Sequence, residues 1–174
     1  MLRRLVALAT VAAFTIPSAA QAQAKPKVVA ATPEEAGAYL LIVGSCHDCH
    51  TPNWVESKGK VSKDSLMTGR SLGFKGAWGT NYSKNLRTIA ARQDENHWFS
   101  VMTTADGGEG NLPMPYHNTA LMNEEDIRNI YKYIKSLGTA MGERIPRSAK
   151  PGEEPTSTYI DLNVKTPVPA VKKP

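Results

Sequence analysis

Cys46-His47-Asp48-Cys49-His50 restricts this chain more than any other stretch of it. The C-x-x-C-H spacing is that of covalent haem attachment, in which both thiols become thioether links to the porphyrin edge and the adjoining histidine is aimed at the iron. Two other chemistries use similar residues. A closed structural zinc site takes four ligands, and no second Cys/His pair follows at finger spacing. A redox C-x-x-C sits at the end of a strand in a βαβ pattern, which the flanking residues do not suggest. Aromatic residues make up 7% of the chain and the mean hydropathy is −0.36, so the core is small. A bound porphyrin would supply much of the missing apolar volume.

Haem is attached to such motifs outside the bacterial cytoplasm, which predicts an export signal. Arg3 and Arg4 are followed by an apolar run from Leu5 to Ile16 and by small residues around Ala20 to Ala24. That order is a secretory signal peptide, expected over residues 1–22, with cleavage after Ala22 or Ala24. The apolar run is too short for the roughly 20 residues of a membrane span. A periplasmic protein of about 150 residues then remains, one domain by length, with both thiols consumed by the haem.

Charge is distributed unevenly. Lys58, Lys60, Lys63, Arg70, Lys75, Lys84, Arg87 and Arg92 face one acid, Asp64, between residues 57 and 93, whereas residues 94–126 carry seven acids and no Lys or Arg. Such a dipole would steer docking to a redox partner; two ordinary solvated faces explain it equally well.

Three helices have legible ends. Thr32-Pro33-Glu34-Glu35 is a capping box with proline at the first helical position, opening a helix to about Gly44. A second runs from Asp94 to Thr104, with Trp98, Val101 and Met102 at helical spacing and Gly107, Gly108 and Gly110 as its stop. The third opens at Asn123, has Glu124, Glu125 and Asp126 in its first turn, and places Ile127, Ile130, Tyr131, Ile134 and Leu137 on one stripe before Gly138. No segment alternates in the manner of a strand. Residues 51–82 read as a long loop around a haem edge. Residues 139–174 read as a Pro-rich C-terminal extension, in which Tyr159 to Val164 is the patch able to dock on the body.

The second axial ligand decides what a tethered haem does. Methionine favours the reduced state, and an open position permits ligand chemistry. In Leu112-Pro113-Met114-Pro115-Tyr116-His117 the prolines hold the backbone extended and display Met114 on a stiff loop, 64 residues after His50. His117 is the nearest rival. Met102 reads as core filler, Met67 as part of the basic loop, and Met122 and Met141 as helix-edge residues. His97 caps its helix or faces solvent, and His47 points away from the ring.

Ala38-Tyr39-Leu40-Leu41, the C-H-x-C-H-T stretch, Asn85-Leu86, Trp98, the Leu-Pro-Met-Pro-Tyr loop and the final Glu-Asp-Ile-x-x-Ile-Tyr-x-Tyr-Ile-x-Ser-Leu helix resemble class I cytochrome c, especially the single-domain and dehydrogenase-associated cytochromes of bacteria. The resemblance covers residues 32–138. It implies an all-α cytochrome c fold, its first and last helices crossing near Gly37 and Tyr39 against Tyr131 or Tyr133. It further implies one covalently attached haem c with His50 and Met114 as axial ligands. The family often holds the proximal imidazole through a proline carbonyl. Pro52 lies very close to His50 and the next proline is Pro113, so no such contact is assigned.

The function implied is single-electron transfer in the periplasm, as a free carrier or as the electron-transfer subunit of a dehydrogenase or oxidase system. Partners would be a periplasmic dehydrogenase, a membrane oxidase or another cytochrome, with no nucleic acid and no stable membrane insertion after processing. Trp78, Tyr82 and Asn85 are candidates for hydrogen bonds to the haem propionates. The alternative is a haem enzyme or gas sensor in which Met114 is labile or absent and His97 or His117 acts on the distal side.

Overall fold

The computed structural model describes residues 25–104 and 112–163. The export segment expected over residues 1–22, the glycines at 107, 108 and 110, and the tail from Val164 lie outside the described residues.

Helix α1 spans Pro33–Val43, and Thr32 caps it by accepting from the Glu35 amide at 3.1 Å. Helix α4, Glu95–Thr103, starts on Asp94, whose carboxylate accepts from the His97 amide at 2.8 Å. Helix α6, Glu124–Ser136, starts on Asn123, and its first-turn carboxylates favour the positive end of the helix dipole. Ile127, Ile130, Tyr131, Ile134 and Leu137 are all buried, as their 3.6-residue spacing requires. Three further helices are short: α2 at Cys46–His50, α3 at Leu86–Arg92 and α5 at Tyr116–Thr119.

α1 crosses α6 at Gly37. A Cβ built there would lie 2.1 Å from the Asn129 carbonyl oxygen and 2.8 Å from Tyr133 Cβ, so the backbones approach more closely than any side chain permits. Tyr39, expected in the crossing, is 54% exposed instead. Gly37→Ala is therefore expected to push the helices apart. Overpacking of about 3 kcal/mol outweighs the roughly 1 kcal/mol of helix propensity gained, leaving a loss of about 2 kcal/mol. Denaturant unfolding measures it, and an unchanged or raised midpoint would contradict the crossing.

The all-α expectation is corrected by a three-stranded mixed sheet of order β2-β1-β3. Strands β1, Gly73–Gly76, and β2, Gly79–Tyr82, pair antiparallel, while β3, Tyr159–Asp161, lies parallel to β1. The fold is thus mixed, helical with a small sheet. Strands of three or four residues are too short to display a period of two, and glycines at 73, 76 and 79 lower the strand propensity of the hairpin. Gly79 is required: its φ is +96°, and a Cβ there would meet the Ala149 carbonyl oxygen at 2.1 Å. The partner of β1 comes from 86 residues further on, which no local pattern signals.

Candidate cofactor site

Leaving α1, the chain turns through Gly44 and through Ser45 at φ 54° directly into α2. Spacings of three and four residues on this helix turn put Cys46, Cys49 and His50 on one side. All three line a single, largely apolar cavity of about 290 Å³. His47 points elsewhere. Its ring stacks on Trp54 at 4.0 Å between centroids, and Nδ1 lies 2.9 Å from Thr51 Oγ1.

Burial lowers the pKa of His47 from 6.5 to about 4. Above pH 6.5 neither the folded nor the unfolded chain binds a proton here, and the contribution to stability is complete. As pH falls from 6.5 to about 4 the unfolded chain takes up the proton that the folded one refuses, so stability declines; below that range the loss is constant. The full difference is about 3 kcal/mol. Denaturant melts at several pH values are expected to show that His47→Phe loses this slope while keeping the stacking partner of Trp54. Equal slopes in both proteins would contradict the assignment.

His50 is buried, and its Nδ1 lies 2.9 Å from the Lys84 carbonyl oxygen. A carbonyl only accepts, so Nδ1 carries the proton. Burial also holds the ring pKa below its ordinary value. The imidazole is therefore neutral, and Nε2 keeps its lone pair, the state a metal requires. Lys84 is brought there by the exit from β2, where the Leu86 amide donates to Met67 O at 2.9 Å and the Gly69 amide to His50 O at 2.8 Å. The proline carbonyl sought in the sequence is replaced by one from a lysine backbone, which any residue could supply and no sequence pattern marks.

Neither thiol has the lowered pKa of an exchanging pair. Burial, and then the proximity of Cys49, push the Cys46 pKa up to about 11. Burial, and then the Asp48 carboxylate, also raise that of Cys49. Redox C-x-x-C motifs lower the pKa of the attacking thiol instead. Among the described residues no group of three or more His, Cys, Asp or Glu is placed to hold a metal ion by itself.

Met114 lines the same cavity. Residues 112–114 form a turn that leads into α5, not the extended segment expected from the flanking prolines. Met102 also reaches the cavity while packing in the core, a second role that its helical spacing did not reveal. Met67, read as part of a basic loop, is fully buried. His97 and His117 are exposed and do not line the cavity; among the described residues His50 is the one histidine that does.

Of the three donors proposed for propionates, Trp78 Nε1 donates to Phe74 O at 3.3 Å, and the Asn85 amide caps α3 and donates to Ala140 O at 2.9 Å. Tyr82 lines the cavity with a buried hydroxyl that has no partner among the described residues, and so does Trp98 with its Nε1. Buried donors are normally satisfied. Two unsatisfied donors on residues that line an apolar cavity, beside two cysteines, a neutral histidine and a thioether, suit a large apolar group that carries peripheral acceptors, and a haem has that composition.

The basic stretch is less uniform than its sequence. Arg70 donates to Asp48 O at 2.9 Å and pairs with Glu56 at 2.8 Å, and Arg87 is buried. Lys58, Lys60, Lys63, Lys84 and Arg92 are exposed.

No protein-family model, curated protein or solved structure matches the chain. No helix of the described residues is long and apolar enough to cross a membrane.

Proposed function

We propose that the chain is a periplasmic mono-haem c-type cytochrome, related to class I, that passes single electrons between redox partners. The observation that carries this reading is the convergence of Cys46, Cys49, His50 and Met114 on one apolar cavity. When bound, haem c supplies a one-electron couple at its iron. Cys46 and Cys49 would hold it through two thioether links, each the addition of S–H across a vinyl group with no net oxidation. Lys84 O fixes the tautomer and direction of His50. The Met114 thioether would hold the iron and favour its reduced state. Tyr82 and Trp98 would offer donors to the carboxylates of the group. The exposed cations of residues 58–92 suit docking to an acidic face of a dehydrogenase, an oxidase or another cytochrome.

Optical spectra of protein matured with a haem-attachment system test this. The ferric protein is expected to show a methionine-to-iron charge-transfer band that is absent from Met114→Ala. High-spin ferric haem, or avid carbon monoxide binding by the unaltered reduced protein, overturns the six-coordinate carrier.

A further inference from the structure

The segment that follows α6 reaches the cavity. Ser148 lines it, and Ala149 pairs with Thr80 of β2 through two backbone hydrogen bonds, Thr80 N to Ala149 O at 2.8 Å and Ala149 N to Thr80 O at 2.9 Å. β2 is thereby held on both edges, by β1 on one side and by residue 149 on the other. The next residue, Asn81, pairs with Phe74 in β1 and extends its Nδ2 to the Leu112 carbonyl oxygen at 2.6 Å.

That contact touches the start of the turn that carries Met114. The end of the turn is secured separately: Tyr116 N donates to Met114 O at 2.9 Å, and α5 is tied to α4 by Thr119 Oγ1 donating to Met102 O at 2.6 Å. Pro113 and Pro115 have no N–H to offer. Among the described residues Asn81 Nδ2 is the one side-chain donor that reaches residues 112–115. Without it, the Leu112 end of the turn loses this tie to the sheet.

We infer that Asn81 is a positioning residue for Met114, and that residues 148–150 act as a clamp keeping β2, and therefore Asn81, in register with the methionine turn. This rests on the reading of His50 and Met114 as axial ligands. Nothing in it requires the C-terminal extension to contact a partner; the extension serves the cofactor site of its own chain.

The experiment is competition by imidazole for the methionine position, followed through the charge-transfer band in the full-length ferric holoprotein. Asn81→Leu keeps the bulk of the side chain and removes the donor. One hydrogen bond between uncharged groups corresponds to about a fivefold change, so imidazole is expected to displace Met114 at about one-fifth of the concentration the parent needs. Thermal unfolding of the ferrous form separates positioning from general weakening, because a purely structural role shifts the melt without shifting the imidazole midpoint. Ala149→Pro removes the amide donated to Thr80 and is expected to move the midpoint in the same direction. If that variant does not fold, Asn81→Leu still decides the matter. A parent protein with the band and an Asn81→Leu midpoint equal to it overturns the inference while leaving the axial pair intact. A parent without the band overturns the axial reading and the inference together.

Discussion

The double variant Cys46→Ala, Cys49→Ala is expected to carry no covalently bound haem, whereas the parent is expected to carry one per chain. Both sulfurs face the cavity from a single helix turn, so each reaches the rim of the same group, and no other cysteine exists in the chain to replace them. His50 and Met114 remain, but axial bonds alone do not survive denaturation, so haem staining after a denaturing gel falls to background. Either single variant keeps one thioether and is expected to retain stain at reduced yield. Mass spectrometry of the intact chain gives the same answer independently of staining. Unchanged stain in the double variant would mean that the group is tethered elsewhere, and the cavity would lose its claim to be the attachment site. The result is specific to haem, because a metal held by Cys46, Cys49 and His50 would leave no mass on the denatured chain.

What was legible in the sequence was what local chemistry repeats. Thr32, Asp94 and Asn123 cap the helices they precede, because a short polar side chain before an acidic first turn has few other uses. The stripe from Ile127 to Leu137 is buried because its period matches the helix. The sheet was illegible for the converse reason. Its strands are too short to show a period, and β3 finds β1 across about half of the chain. At the site the contributors were unequally visible. Cys46, Cys49 and His50 announce themselves by spacing, and Met114 by its prolines. The Lys84 carbonyl that accepts from His50 and the buried, unpartnered ring nitrogen of Trp98 carry no sequence signature until a fold turns them inward. Arg87 enters the composition as one more positive charge, a count that does not say where the side chain points.

Arg87→Met is expected to be among the most destabilising substitutions in the chain, by about 3–4 kcal/mol. Arg87 is 4% exposed, yet among the described residues its guanidinium pairs with no carboxylate. It donates instead to backbone: Nε to Gly138 O at 2.6 Å, Nη2 to Leu137 O, and Nη1 to Lys63 O and Asp64 O, each at 3.3 Å. Leu137 and Gly138 close the C-terminus of α6, where unpaired carbonyls and the negative end of the helix dipole accumulate. The cation therefore neutralises that end and joins it to the turn at residues 63–65, which no hydrophobic contact of methionine can reproduce. Met fills the space and leaves the Leu137 carbonyl buried without this donor, which is costlier than removing both partners would be. Arg87→Lys separates charge from geometry. An ammonium keeps the charge at the helix end but has no planar fork to reach Gly138 and residue 63 together, so about half of the loss is expected to remain. At roughly 2–4 °C per kcal/mol for a chain of this size, the Met variant should melt about 10 °C below the parent and the Lys variant about 5 °C below. Equal melting temperatures for Arg87→Lys and the parent would show that charge alone matters, and an unshifted Arg87→Met would remove Arg87 from the frame that holds α6 against α3.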